Sequence, residues 1–146
     1  MFTERTARDT LISVPDIMSA AANLTPEQEV SPTILLVEDE VLIRMVLADQ
    51  LREEGYRVVE ASDADEALAL LRHDFLYIDV AITDVIMPGS MDGVGLARAL
   101  RLERPQIKII LMSAHHNSVG GPDYDAFFPK PYDIRAIVRE IKSFFA

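Results

Sequence analysis

Polar residues with chemically useful side chains directly follow four short apolar runs of the chain. Glu38 and Asp39 follow the first run, Asp84 follows the second, and Ser113 and Lys130 follow the third and fourth. If these runs are parallel strands of one sheet, their carboxyl ends meet at the edge where such sheets bind ligands. Three carboxylates, one hydroxyl and one amine would then converge at that edge.

A cluster of three carboxylates points to chemistry with a hard cation. The charges of Glu38, Asp39 and Asp84 repel one another unless a cation neutralises them. Oxygen ligands without histidine or cysteine favour Mg²⁺, with Mn²⁺ as an alternative, and the backbone carbonyl of Ile86 is a candidate further ligand. The chain has no cysteine, which excludes disulfides and thiolate metal sites.

A carboxylate beside such an ion is also a nucleophile for phosphorus, and it needs no general base at neutral pH. Asp84 is the candidate nucleophile, because it lies between the other groups in chain and sheet order. The Lys130 ammonium would balance the charge of phosphoryl oxygens, and the Ser113 hydroxyl would donate a hydrogen bond to one of them. These residues therefore predict phosphoryl transfer to Asp84.

Alternating apolar runs and helical patterns predict the elements that must bring these residues together. Short runs that are almost wholly apolar are typical of strands buried on both faces, and the segments between them show helical spacing. Strands that alternate with helices predict an α/β fold with a five-stranded, doubly wound parallel sheet. The predicted strands are 34–37, 56–61, 79–83, 107–112 and 126–129, and the predicted helices are 40–54, 64–72, a segment ending near 103, and 133–145.

One crossover breaks this alternation. Residues 114–125 contain Gly120-Gly121-Pro122 and few apolar side chains, so an amphipathic helix does not fit there. We therefore expect the fourth crossover helix to be shortened or missing. The first 31 residues also differ from the rest, and we interpret residues 1–31 as an N-terminal arm and residues 32–146 as the folded domain.

Charge and hydropathy exclude two classes of partner. The 146 residues carry a formal net charge of −10, whereas binding to a nucleic-acid backbone needs a positive surface. No apolar run approaches the ~20 residues of a membrane-spanning helix, so no membrane partner is expected. The absence of cysteine fits a reducing compartment, and we expect a cytoplasmic protein.

Four segments, in this order, resemble the response-regulator receiver domain of two-component signalling. The resemblance covers residues 33–146 and implies a flavodoxin-like sheet with strand order 2-1-3-4-5, the order known for this fold class. The matching segments are ILLVEDE at 34–40, ITDVIMPGSMDG at 82–93, LMSA at 111–114 and FPKPYD at 128–133.

The resemblance implies a role for each residue at the predicted edge. Asp84 matches the phosphoacceptor, and Glu38 and Asp39 match the acidic pair that binds the metal. Lys130 matches the lysine that faces the phosphoryl group.

Two further residues match the moving parts of such a domain. Ser113 matches the switching hydroxyl residue, and Phe127 matches the aromatic residue that turns inward on activation. The family also implies a cis peptide bond between Lys130 and Pro131.

The resemblance implies a signalling switch rather than a conventional enzyme. A histidine kinase or a histidine phosphotransfer protein would donate the phosphoryl group, and the domain would catalyse the transfer and its own dephosphorylation. Since the sequence ends after the last predicted helix, we expect a stand-alone receiver domain that signals through contact with a downstream protein. A homodimer is left open, because a missing fourth helix would alter the usual dimer face.

Two other functions are compatible with parts of the sequence. A constitutive interaction module that no longer takes phosphate would use a fixed surface, although the intact set of polar residues argues against it. A metal-dependent phosphohydrolase would need a substrate pocket or a cap insertion, and no segment between the predicted strands is long enough to supply one.

Overall fold

Five parallel strands and four helices form the part of the chain that the structure, a computed structural model, describes: residues 31–73, 76–115, 121 and 123–146. The strands are β1 (Thr33–Val37), β2 (Arg57–Ala61), β3 (Val80–Asp84), β4 (Lys108–Ser113) and β5 (Ala126–Pro129). The helices are α1 (Val41–Glu53), α2 (Ala64–Leu71), α3 (Gly93–Glu103) and α4 (Ile134–Phe144). The strand order β2-β1-β3-β4-β5 confirms the predicted fold.

Side chains of the central strands alternate between two apolar layers. In β1, Ile34 and Leu36 pack in one layer with α1 and α4, whereas Leu35 and Val37 pack in the other with α2 and α3. Successive residues of a strand point to opposite faces of the sheet, so a strand covered on both faces must be apolar throughout. This double burial explains the unbroken apolar run in the sequence.

Aspartate side chains cap three of the four helices in the described part of the chain. Asp63 accepts a hydrogen bond from the backbone N–H of Glu66 at 2.7 Å, and Asp92 and Asp133 cap α3 and α4 in the same way. Each cap satisfies a backbone donor that the first helical turn leaves unpaired. Asp63 and Asp133 thus mark the starts of α2 and α4, and Gly55, with φ of 95°, follows the end of α1.

No helix occurs in the described residues of the crossover from β4 to β5, which are 114, 115, 121 and 123–125. This agrees with a fourth crossover helix that is shortened or missing. Residues 116–120 and 122 of the crossover lie outside the described residues, as does the predicted N-terminal arm apart from Ser31.

An ion pair holds the end of this crossover against the sheet and α3. The backbone N–H of Asp125 donates to the carbonyl oxygen of Ile109, and its carboxylate accepts the Ile109 N–H, each at 2.8 Å. The same carboxylate lies 2.8 Å from Nη2 of Arg101 on α3. The Asp125 carboxylate therefore joins β4, α3 and the approach to β5.

Among the described helices, none has both the length and the hydropathy needed to span a bilayer.

We predict that Asp125→Ala destabilises the domain far more than Asp123→Ala. Loss of the Asp125 carboxylate leaves the buried Ile109 N–H and the Arg101 guanidinium without this partner, at a cost of ~1–3 kcal/mol in the free energy of unfolding. Asp123 pairs at 3.6 Å with Arg98, which is 70% exposed, and exposed pairs contribute below ~1 kcal/mol. Urea unfolding followed by circular dichroism measures both losses. Equal losses in the two variants would contradict the assigned role of Asp125.

Candidate functional site

Three carboxylates meet at the carboxyl edge of the sheet. Glu38 directly follows β1, Asp39 comes next, and Asp84 is the last residue of the neighbouring strand β3. One carboxylate oxygen from each of the three lies within 4.8 Å of the others. The Glu38 side chain is fully buried and Asp84 is 8% exposed. The structure therefore brings together the three acids that the sequence predicts to converge.

The Lys130 ammonium joins two of these carboxylates. Lys130 directly follows β5, and its Nζ donates to Oδ2 of Asp84 at 2.7 Å and to Oε2 of Glu38 at 3.1 Å. Burial lowers the pKa of Lys130, but the hydrogen bonds and charges of the two carboxylates outweigh burial and raise that pKa above its ordinary value. The peptide bond between Lys130 and Pro131 is cis, as the resemblance to receiver domains implies.

Glu38 is the most deeply buried of the three acids. Burial raises its pKa, although the Glu40 N–H, which donates to Oε1 at 3.1 Å, and the Lys130 ammonium act in the opposite direction. A carboxylate in this position benefits from any further positive charge, because a cation compensates for the lost water.

Ser113 brings a hydroxyl to the same edge. It is the last residue of β4, which lies beside β3, and it is fully buried. The backbone N–H of His115 donates to the Ser113 hydroxyl oxygen at 3.0 Å, and the Lys130 N–H donates to the Ser113 carbonyl at 2.8 Å. A hydroxyl that accepts one hydrogen bond still has its own hydrogen to donate.

An open cleft of about 300 Å³ gives access to Asp39, Asp84 and Lys130. The backbone N–H of Ile86 donates to Oδ1 of Asp84 at 3.3 Å, which fixes the loop that follows β3 against the carboxylate. The Ile86 carbonyl as a metal ligand stays a prediction. The residues that line the cleft are Asp39, Glu40, Ile43, Asp84, Ile86, Ala114, His115 and Lys130.

Phe127 lies within β5 rather than in the cleft lining. It pairs in register with Leu111 of β4 and packs, half-buried, against the apolar layer on the α2 and α3 side of the sheet. Its predicted movement on activation stays a prediction.

The donor set fits a hard divalent cation. All three candidate ligand side chains offer carboxylate oxygens, which Mg²⁺ and Mn²⁺ prefer. Three carboxylates against one ammonium leave an excess of negative charge in a partly buried cleft. A divalent cation held by Glu38, Asp39 and Asp84 would remove that excess.

Comparison with known proteins agrees with this geometry. Residues 34–142 match the family model of the response regulator receiver domain. The chain belongs to the response-regulator receiver family. The features described above therefore belong to a receiver domain: the strand order, the cluster of three carboxylates and Lys130.

Relatives of this receiver domain occur within longer proteins. It is 36% identical over 117 residues to the sensor kinase CckA of Brucella abortus. The match covers 77% of this chain and 12% of the kinase. It is 35% identical over 123 residues to the probable transcriptional regulator ycf27 of Guillardia theta. This match covers 76% of this chain and 47% of that protein. The chain thus spans about half or less of the length of these relatives.

Solved structures show the same receiver fold. The receiver domain of the hybrid histidine kinase CckA matches with a TM-score of 0.66 at 37% identity, over 78% of this chain and 99% of that one. The response regulator TrrA of Thermotoga maritima, solved in complex with Mg²⁺ and BeF, matches with a TM-score of 0.69 at 29% identity. The match covers 77% of this chain and 98% of that one. TrrA in complex with the histidine kinase ThkA matches with a TM-score of 0.68 at the same identity, over 79% of this chain and 99% of that one.

Gly93 supports the site of this receiver domain in a way that sequence reasoning missed. It begins α3, and its N–H donates to the Val85 carbonyl at 2.8 Å. A Cβ atom at Gly93 would overlap the backbone carbonyl of Asp84. The helix start therefore lies directly against the main chain of Asp84, and only a residue without a side chain allows this approach.

We predict that Gly93→Ala displaces Asp84 and that Gly95→Ala does not. At Gly93 the added methyl group meets rigid backbone, and such overpacking costs ~1–3 kcal/mol in the free energy of unfolding. At Gly95, on the same helix, the nearest contact is the flexible side chain of Met91. Thermal unfolding and the nuclear magnetic resonance shift of the Asp84 amide measure the two effects. If both variants matched the wild-type domain in both measurements, the close approach would be unimportant.

Proposed function

We propose that this receiver domain accepts a phosphoryl group on Asp84 in a Mg²⁺-dependent reaction. The observation that carries the proposal is the Lys130 ammonium, which bridges Asp84 and Glu38 beside Asp39 in an open cleft. This arrangement supplies a nucleophile, a cation for phosphoryl oxygens and oxygen ligands for a metal. The proposed donor is a histidine kinase or a histidine phosphotransfer protein, and a cytoplasmic location stays a prediction.

The proposed reaction moves a phosphoryl group from a histidine nitrogen to a carboxylate oxygen. One carboxylate oxygen of Asp84 attacks phosphorus, and a new P–O bond forms as the P–N bond breaks. The electron pair of the broken bond returns to the imidazole nitrogen, which then takes up a proton. Lys130 keeps its positive charge and balances the negative charge of the phosphoryl oxygens.

The remaining residues hold and orient the reacting groups. Glu38, Asp39 and Asp84 would hold the metal, with the carbonyl of Ile86 as a further proposed ligand. When bound, Mg²⁺ or Mn²⁺ supplies Lewis-acid stabilisation of the phosphoryl oxygens. Ser113 would donate its hydroxyl hydrogen to one of those oxygens.

Phosphorylation would act as a switch, because it adds charge beside a cation and a hydroxyl. The phosphoryl group would attract Lys130 and Ser113, which lie at the ends of β5 and β4, and would shift the population of their loops. Phe127 would change its packing against the sheet at the same time. Hydrolysis of the aspartyl phosphate by water would reset the switch, and the altered loops would change contact with a downstream protein.

A protein donor must bring its phosphohistidine to the cleft and therefore must rest on the surface beside it. Ile43 of α1 lines the cleft and also an apolar groove formed with Leu42, Val46 and Tyr132. Leu42 is 77% exposed and Val46 is 58% exposed. We propose this surface, which is continuous with the cleft, as the docking face for the phosphohistidine domain of a kinase.

Asp84→Asn tests the phosphoacceptor directly. We expect the wild-type domain, incubated with acetyl phosphate and Mg²⁺, to gain the mass of one phosphoryl group in intact mass spectrometry. Asp84→Asn should gain none, because an amide oxygen is a much weaker nucleophile than a carboxylate. Asp49→Asn, an exposed change on α1, is the matched control and should behave as wild type. An adduct of equal size on Asp84→Asn would contradict the proposal.

Removal of the metal should abolish the same adduct. The three carboxylates repel an incoming phosphoryl group unless a cation offsets their charge, so a chelator should stop the gain of mass and added Mg²⁺ or Mn²⁺ should restore it. Phosphorylation that continues at the same rate in excess chelator would show that the acidic cluster is not a metal site for this reaction.

Charges on the docking face should separate the protein donor from the small-molecule donor. Leu42→Asp with Val46→Asp should slow transfer from a phosphorylated histidine kinase roughly 10-fold or more, since loss of central apolar contacts costs over ~1 kcal/mol in binding. Phosphorylation by acetyl phosphate should be unchanged, because neither residue lines the cleft. Leu102→Asp, an equally exposed change on α3, is the control. Unimpaired transfer from a kinase that phosphorylates the wild-type domain would refute this docking face.

A further inference from the structure

We propose that Arg44 is a positioning residue for the metal-binding acids, because its side chain fixes the peptide unit that joins Glu38 to Asp39. This inference rests on the proposed role of those two acids in binding Mg²⁺. Arg44 itself does not line the cleft, and sequence reasoning assigned it no role.

The first contact is a hydrogen bond to the main chain between the two acids. Nη1 of Arg44 on α1 donates to the carbonyl oxygen of Glu38 at 2.8 Å. The Glu38 N–H, on the other side of the residue, donates to the carbonyl of Ala61 at the end of β2, at 3.1 Å. The main chain of Glu38 is therefore held both by the sheet and by the helix that follows it.

The position of this carbonyl oxygen matters because a peptide unit is planar. The carbonyl of Glu38 and the N–H of Asp39 belong to one rigid unit, with the Cα atoms of the two acids at its ends. A hydrogen bond that fixes the oxygen thus fixes the rotation of the whole unit. The direction in which each acidic side chain leaves the main chain depends on that rotation.

The second contact anchors the guanidinium to the sheet. Nε of Arg44 lies 3.4 Å from Oε1 of Glu60, a residue of β2 that pairs in register with Leu36 of β1. The Arg44 side chain is 17% exposed, and its Nε is buried without a hydrogen bond. The ion pair with Glu60 therefore compensates for the burial of the guanidinium and anchors it to β2 while it donates to the Glu38 carbonyl.

Positioning and simple electrostatics predict opposite effects of removing Arg44. A positive charge near the carboxylates repels a divalent cation, so loss of that charge alone would strengthen Mg²⁺ binding. Loss of the hydrogen bond to Glu38 would instead release the peptide unit and weaken Mg²⁺ binding. The sign of the change in affinity therefore distinguishes the two explanations.

Arg52 offers a matched control on the same helix. Its Nη2 donates to the Val58 carbonyl at 3.2 Å and lies 3.1 Å from Oε2 of Glu60, the same carboxylate that pairs with Arg44. Arg52 thus has the same charge, helix and acidic partner as Arg44, and it also donates to a backbone carbonyl, but to a different one. Its contacts are with β2 and α1 rather than with Glu38 or Asp39.

The test compares Mg²⁺ binding to Arg44→Met and Arg52→Met with binding to the wild-type domain by titration calorimetry. We expect the dissociation constant of Arg44→Met to rise roughly 10-fold, at the low end of the ~10–100-fold effect of residues that orient metal ligands. Arg52→Met should bind as wild type or slightly more tightly. Arg44→Lys keeps the charge but not the planar fork that makes both contacts, so it should also bind more weakly.

A second readout separates positioning from general damage. The rate of phosphorylation by acetyl phosphate should show a shifted Mg²⁺ dependence in Arg44→Met, and saturating Mg²⁺ should restore the wild-type rate. A misfolded or generally weakened site would lose the saturated rate as well, and that result would overturn the inference.

The remaining outcomes are equally distinct. If Arg44→Met bound Mg²⁺ as tightly as Arg52→Met or more tightly, the positioning role would be refuted while the proposed function stood. If the wild-type domain bound no Mg²⁺, the proposed function would fail first and this inference would fail with it.

Discussion

The site depends on one ammonium group that lies between two buried carboxylates. Asp84 ends β3 and Glu38 directly follows the neighbouring strand β1, and their charges would be costly to bury together without the Lys130 Nζ at 2.7 and 3.1 Å. Lys130 follows β5, which is two strands from β3, or roughly 10 Å in an ordinary sheet. Only a long side chain can span this distance, and the strand order places the Cα atom of Lys130 close enough for its Nζ to contact Asp84. The same cation that permits the cluster is available to a phosphoryl group.

The features that the sequence predicted are those that depend on local pattern and on the geometry of parallel sheets. The apolar runs marked strands buried on both faces, and the rule that their carboxyl ends share an edge was enough to bring Glu38, Asp39 and Asp84 together. Resemblance to a known family supplied the strand order and the cis peptide bond before Pro131, and both are confirmed. The switching roles of Ser113 and Phe127 came from the same resemblance and stay predictions.

Other features depend on contacts that no local pattern records. Helical spacing places Arg44 on α1, but it does not show which backbone carbonyl accepts a hydrogen bond from the guanidinium at the end of this long side chain. Gly93 looks like one more loop glycine until α3 is seen against the main chain of Asp84. Asp125 joins two strands and a helix that are distant in sequence. All three supports were missed for the same reason, because each is set by tertiary packing around the edge of the sheet.

The central claim is that these charges form a site for a divalent cation and a phosphoryl group together. The most direct measurement is nuclear magnetic resonance of the labelled domain during titration with beryllofluoride, a phosphoryl mimic, with and without Mg²⁺. The account predicts saturable shifts at Asp84, Ser113 and Lys130 that require both Mg²⁺ and the mimic. Shifts that are absent, or that are the same in size without Mg²⁺, would contradict it.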